Sequence, residues 1–204
     1  MPFSETAHRS LVRSAGVLPV EAGKWQVDFL VGGVVKWLCG GPGVAYLYVR
    51  PDLAPRLEPA LTGWLAHPRP FDFEGGPGEL RADAYRFLNG TPHIPALYAA
   101  GPGREIVRQV GVERIRARSL QLTRRLMEKA RERGWAVHTP QGDAERGGTV
   151  TLDVPRGPEV LRELLRREVL VDYRPQAGIR LSPHFYNSEE EVDRAVAEIA
   201  QILR

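Results

Sequence analysis

The sequence predicts a mixed fold in two parts, an α/β segment followed by an α+β unit with an antiparallel sheet. Residues 16–103 contain short strand-like runs separated by glycine- and proline-rich stretches, whereas residues 104–204 alternate amphipathic helices with short strands. The length of 204 residues is enough for one domain or for two small ones. We therefore expect one part to cover residues 1–103, with little pattern over residues 1–15, and the other to cover residues 104–204.

Two strands joined by a glycine-rich connection are predicted in the first part. The runs WQVDFLVG (Trp25–Gly32) and VAYLYVR (Val44–Arg50) are rich in β-branched and aromatic residues. Val27, Phe29 and Val31 alternate with their neighbours along the first run, which predicts one packed apolar face. The glycines between the two runs allow the chain to turn back, so an antiparallel hairpin is expected.

A long loop, a short helix and a long helix follow the hairpin. Residues 67–80 have the glycine and proline density of a loop, and residues 90–103 contain a short helix between two groups of breaking residues. A long amphipathic helix begins near Val112 and stops at Gly134. Its apolar face is predicted to consist of Val112, Ile115, Leu122, Leu126 and Ala130.

The C-terminal hundred residues read as a compact α+β unit. The runs WAVHTP, GGTVTLDVP, VLVDYRP and GIRLSPHFY are strand-like, and GPEVLRELLRRE is a helix with Pro158 in its first turn. Ser188 and Glu191 form a capping-box pattern that opens the last helix. That helix is expected to bury Val192, Val196, Ile199 and Leu203.

Composition excludes several classes of protein. Cys39 is the only cysteine, so no internal disulfide can form, which fits a reducing cytoplasm. The chain has no run of 18 apolar residues, so no membrane span is expected. A net charge of +3 with interspersed acids does not predict a nucleic-acid surface. The five histidines lack metal-ligand spacing, and no metal is expected.

Lys36 is unusual in its sequence context. The chain has 28 basic residues, of which only Lys24, Lys36 and Lys129 are lysine. Lys36 lies in the apolar run VVKWL, where arginine could extend a cation to water equally well. Arginine cannot replace lysine where an amine must lose its proton and attack a carbonyl, as in a Schiff base with pyridoxal phosphate (PLP). Either a surface lysine or a reactive lysine is compatible with the local sequence.

Four separated segments carry a family resemblance. VGGVVKWLCGGPGVAYLYVRPDL surrounds Lys36, LTGWLAHPRPFDF contains Trp64, RFLNGTPHIPALYAA contains Thr91, and GIRLSPHFYNSEEEVDRAV contains Arg180. In this order they resemble the kynureninase-like proteins of the class V aminotransferase superfamily, which are fold-type I PLP enzymes. The match runs from about Gly16 to the C-terminus, so the fold implied is the C-terminal portion of a PLP-dependent transferase.

The resemblance implies a role for each matching residue. Lys36 is the lysine that binds PLP and acts in catalysis, and Trp64 contacts the cofactor phosphate. Thr91 contacts the phosphate held by the neighbouring subunit of a homodimer. Arg180 binds the α-carboxylate of an amino acid substrate such as kynurenine, whereas the local sequence without the resemblance favours an ordinary salt-bridged strand arginine. Cys39 follows Lys36 too closely to match a desulfurase nucleophile, and a small packed side chain is expected instead.

The sequence also departs from the family pattern. Ser10 and Arg13 stand where the family has an aspartate that pairs with the pyridine nitrogen and a nearby histidine or glutamine, and Val35 replaces a frequent tyrosine. The only nearby acid, Glu5, is out of register. The chain is therefore expected to be truncated and inactive alone. A non-catalytic C-terminal fragment and one subunit of a split enzyme remain alternatives.

Overall fold

The chain divides into two compact units. The computed structural model describes residues 7–73 and 78–204. One unit comprises Met1–Ala15 and Val20–Gln109, and the other comprises Gly16–Pro19 and Val110–Arg204. The expected loop over residues 67–80 falls partly outside the described residues, as does the start of the weakly patterned segment 1–15.

A three-stranded sheet organises the first unit. Its strands are β1 (His8–Ser10), β2 (Phe29–Gly33) and β3 (Ala45–Val49), in that spatial order. The β1 strand runs parallel to β2, whereas β3 is antiparallel to it, with Phe29 opposite Val49 and Gly33 opposite Ala45. The antiparallel hairpin is thus confirmed, and the segment before residue 16 contributes a strand that its sequence pattern did not reveal.

The expected strand over residues 25–32 is wrong in its start and in its packed face. Trp25 closes a short helix, α1 (Ala22–Trp25), and Gln26 adopts a left-handed conformation with φ 49° that ends it. Within β2 the buried side chain is Leu30, while Val31 is 47% exposed. Because side chains alternate between the two sides of a strand, burying Leu30 turns Val31 to the other side.

A long helix, α2 (Ile94–Val110), replaces the expected short helix between residues 90 and 103. It continues through Gly101, Pro102 and Gly103, which the sequence pattern predicts to be helix-breaking. Its buried positions are Ala96, Ala100, Gly103 and Val107. The sequence-based boundary after residue 103 therefore falls inside α2.

The second unit contains one antiparallel sheet and three helices. In chain order its elements are α3 (Val112–Glu132), β4 (Ala136–Val137), β5 (Val150–Asp153), α4 (Gly157–Arg166), β6 (Asp172–Arg174), β7 (Gly178–Leu181) and α5 (Glu189–Ile202). The spatial order of the strands is β4-β5-β7-β6, and every neighbouring pair is antiparallel. The α+β architecture is confirmed.

One side of this sheet is covered by the three helices. Alternate strand residues form a single core with the helices, to which the strands contribute Val150, Leu152, Ile179 and Leu181. The predicted stripe of α3 is buried at Ile115, Leu122, Leu126 and Ala130. The Ser188–Glu191 capping box at the start of α5 is present in both directions. Among the described residues, no helix is long and apolar enough to cross a membrane.

Candidate active-site residues

Lys36 lies on the turn that follows β2. The strand ends at Gly33, three residues before Lys36. The carbonyl oxygen of Lys36 accepts a hydrogen bond from the Cys39 N–H at 3.1 Å. Its side chain is exposed, whereas the next residue, Trp37, is 6% exposed and anchors the turn. The side chain of Lys36 therefore faces solvent, while the buried side chain of Trp37 holds the turn in place.

The small residues of α2 support this turn from behind. A Cβ atom added to Gly103 would lie 1.9 Å from the carbonyl oxygen of Cys39, and one added to Gly43 would lie 3.1 Å from the Cβ of Ala96. Ala96, Ala100 and Gly103 recur at helical spacing and therefore lie on one side of α2. Because these residues are small, the backbone of the turn can pack closely against this side of the helix. This function of Gly103 was not predicted from the sequence.

The segments that contain Trp64 and Thr91 are brought together by their backbones. Gly63 donates a backbone hydrogen bond to the Leu88 carbonyl at 3.3 Å. The side chain of Trp64, 44% exposed, packs edge to face against Phe71 with 5.4 Å between ring centroids. Thr91 is exposed just before the N-terminus of α2. Lys36, Trp64 and Thr91 thus all belong to the first unit.

Cys39 is partly buried in a constrained backbone. Its φ of 54° is left-handed, and its Sγ lies 3.9 Å from the carbonyl oxygen of Trp37. Burial raises the pKa of the Cys39 thiol above its usual value of 9.0. A thiol that stays protonated is a poor nucleophile, which favours a packing function for this residue.

Arg180 belongs to the second unit and lies on the sheet side opposite the helices. It is flanked across the sheet by Thr151 on β5 and Asp172 on β6. Its Nη2 donates to Oδ2 of Asp172, and its Nε is buried without a hydrogen-bond partner among the described residues. The side chain is 18% exposed. The alternative of a salt-bridged strand arginine is therefore present in the structure, together with an accessible part of the guanidinium.

Asp172 is a site residue that sequence reasoning missed. It lies eight residues before Arg180, and the short β6–β7 hairpin pairs the two directly. A strand of alternating polarity followed by the turn RPQAG could have indicated such a pairing. A cavity of about 340 Å³ in the second unit is lined by other residues, including Leu126, Leu181 and Val192. Within the part of the chain described, no cluster of His, Cys, Asp or Glu could hold a metal ion.

The C-terminal unit matches a known family. Residues 115–199 match the model of the kynureninase C-terminal domain. The chain is similar to kynureninases over about half of their length. It is 36% identical over 188 residues to an uncharacterized aminotransferase of Bacillus subtilis, covering 92% of this chain and 49% of that relative. It is 35% identical over 203 residues to a kynureninase of Deinococcus radiodurans, covering 95% of this chain and 48% of the relative.

Solved structures show the fold of this chain. The cysteine desulfurase of Thermococcus onnurineus aligns with a TM-score of 0.85 at 24% identity, covering 97% of this chain and 52% of that one. A variant of C-DES with glycine covalently linked to its PLP cofactor aligns with a TM-score of 0.77 at 22% identity, covering 92% and 49%. The chain therefore has the fold of the C-terminal part of a PLP-dependent class V transferase. It spans about half the length of these relatives.

Proposed function

We propose that this chain supplies the lysine-bearing half of a PLP-dependent site that acts on an amino acid such as kynurenine. The reaction class is that of a kynureninase, a hydrolytic C–C cleavage, or of a class V aminotransferase. The observation that carries the proposal is the difference in ion pairing among the three lysines. Lys24 pairs with Glu21 at 2.5 Å and Lys129 pairs with Asp193 at 3.4 Å, whereas Lys36 has no ion pair within the described residues.

The residues of the first unit suit a PLP site. The exposed amine of Lys36 would hold the cofactor and would move a proton at the substrate α-carbon. The cofactor would supply an electron sink for the charge that develops there. Trp64 and Thr91 contact phosphate, Thr91 across a homodimer, and both are accessible to a ligand. The backbone hydrogen bond from Gly63 to Leu88 keeps their two segments adjacent.

Arg180 binds the substrate carboxylate. Its Nη1 makes no hydrogen bond with a described residue, and this atom is not fully buried. A guanidinium group stays protonated at every physiological pH, so it offers a permanent positive charge to an amino acid carboxylate. The partly buried position strengthens that attraction relative to a fully exposed arginine.

The chain alone is proposed to be inactive. Ser10 is exposed at the end of β1, and it pairs in register with Val31 of the neighbouring parallel strand β2. A serine at this position cannot supply the carboxylate that would keep a pyridine nitrogen protonated. A second candidate function, a non-catalytic fragment or one subunit of a split enzyme, rests on the same observation, because Ser10 stands where the family has an aspartate.

A complementation assay tests the proposed function. The purified chain is mixed with PLP and L-kynurenine, with and without a separate polypeptide that corresponds to the N-terminal half of the Deinococcus kynureninase. We expect no turnover by the chain alone and measurable product with the added half, lost in Lys36→Ala. Turnover by the chain alone would show that it is a complete enzyme. No turnover in either mixture would favour the non-catalytic fragment.

A further inference from the structure

The surroundings of Arg180 assign a function to Asp172. We infer that Asp172 is a positioning residue that fixes the Arg180 guanidinium in one orientation, with Nη1 presented to the substrate carboxylate. The inference rests on the proposed function for its carboxylate, but the orientation of Arg180 can be measured without any substrate. Asp172 itself contacts the arginine and not the reacting atoms.

The register of the sheet makes the pairing obligatory. Asp172 and Arg180 stand directly opposite each other on adjacent antiparallel strands. The neighbours of Arg180 on β7, Ile179 and Leu181, are buried on the helix-covered side. A slip of one residue would move Arg180 into that apolar core and expose the two aliphatic side chains. The core therefore holds Arg180 and Asp172 on the same side of the sheet.

The donors of Arg180 are divided among three environments. Nη2 donates to Asp172 Oδ2, and Nε is buried without a partner among the described residues. Because the guanidinium is planar, fixing Nη2 and enclosing Nε determines the plane of the whole group. Nη1 is then the donor left for a ligand. Without Asp172 the group would lose the hydrogen-bonded ion pair that sets this plane.

The charges around Asp172 remain favourable for an anion. Nη2 of Arg174 also approaches Oδ2 of Asp172, at 3.2 Å. One carboxylate therefore lies between two guanidinium groups, and the three side chains keep a net positive charge. Asp172 can orient Arg180 without cancelling its attraction for a carboxylate.

The first test measures the orientation of Arg180 directly. The Nε–H group of Arg180 is followed by 15N NMR in the full chain and assigned by its disappearance in Arg180→Lys. Since Nε is buried, we expect slow hydrogen exchange, accelerated at least about tenfold in Asp172→Asn and restored in part by Asp172→Glu. The matched control is Asp153→Asn on β5, an exposed aspartate near His138, which is expected to change nothing. Unchanged exchange in Asp172→Asn would overturn the inference.

The second test links orientation to binding. Calorimetric titration with L-kynurenine is compared with titration by its carboxamide, which lacks the anionic group. We expect only the carboxylate to bind, with affinity reduced about tenfold in Asp172→Asn and unchanged in Asp153→Asn. An unchanged affinity in folded Asp172→Asn contradicts the inference. If the wild-type chain binds neither ligand, the proposed role of Arg180 fails, and the NMR result alone decides whether Asp172 positions it.

Discussion

A Cβ atom added to Gly63 would lie 1.4 Å from the carbonyl oxygen of Asn89. The two residues belong to the segments that contain Trp64 and Thr91, and no side chain fits between them. Glycine at this position is therefore required by the close approach of two backbones. This contact keeps the two proposed phosphate-binding segments together. The stability of this part of the fold should therefore depend on glycine at position 63.

The variant Gly63→Ala tests that dependence. The backbones must separate to admit the methyl group, so we expect a loss of about 1–3 kcal/mol or more in the free energy of unfolding, measured by urea denaturation. The matched control is Gly90→Ala in the adjoining segment, since a Cβ there meets nothing within 4 Å. Equal stabilities of the two variants would show that Gly63 does not contact Asn89 closely.

Two glycines in α2 are expected to respond in opposite directions to alanine. Gly103→Ala places a methyl group 1.9 Å from the Cys39 carbonyl and should destabilise the chain, while also displacing the Lys36 turn. Gly101→Ala meets nothing within 4 Å and should stabilise the helix by about 0.5–1 kcal/mol. Thermal unfolding of both variants measures the difference. The same sign of change in both would contradict the packing of the turn on α2.

The capping box of α5 should make the second unit sensitive to acid. Hydrogen bonds from the Asn187 side chain and then the Ser188 N–H lower the pKa of Glu191 below its usual 4.5. Because the pKa is lower in the folded chain, this stabilisation is complete above about pH 4.5 and is lost as the pH falls through the folded value. Urea denaturation at pH 7 and pH 3 should show a smaller loss on acidification in Glu191→Gln than in wild type.

Two further variants check the capping assignment. Ser188→Ala removes the side chain that accepts the Glu191 N–H at 3.2 Å, and it should cost about 1 kcal/mol at pH 7. Glu132→Gln, an exposed position at the end of α3, serves as the control. If acid destabilises Glu191→Gln as much as wild type, the capping carboxylate does not contribute to the pH dependence.

Self-association is expected through the exposed side of the first sheet. Val31 and Leu47 are direct cross-strand neighbours and are 47% and 41% exposed. Adjacent exposed aliphatic side chains on a sheet favour association with a second copy. Light scattering should give a mass above the 22.7 kDa of one chain, lowered by Leu47→Lys. Leu61→Lys, at a 73% exposed position, is the control, and a monomeric wild type at micromolar concentration would contradict the proposal.

Sequence patterns predicted the second unit better than the first. The stripe of α3 and the capping box of α5 are local signals, so periodicity and spacing suffice to find them. The extent of α2 was missed because Gly103 is set by the approach of Cys39, a contact distant in sequence. The buried side of β2 was also missed, since Leu30 is selected by the core it meets and not by the alternation of its neighbours.

Individual site residues could be predicted from the sequence, but the contacts between them could not. Lys36 stands out because the chain uses lysine rarely, and Arg180 stands out through its segment. Asp172 has no signal of its own, because its importance depends on the β6–β7 register. Which donors of Arg180 are engaged and which are free is a property of packing that no spacing in the sequence encodes.

Site-specific reaction with PLP tests the central claim most directly. The chain is incubated with equimolar PLP, reduced with borohydride, digested, and analysed by mass spectrometry for modification of its three lysines. Lys24 is the internal control, because its side chain is 76% exposed but paired with Glu21. We expect near-visible absorbance that borohydride removes and modification concentrated on Lys36, abolished in Lys36→Arg and retained in Lys24→Arg. Equal modification of Lys24 and Lys36, or none on Lys36, would contradict the assignment of Lys36 as the cofactor lysine.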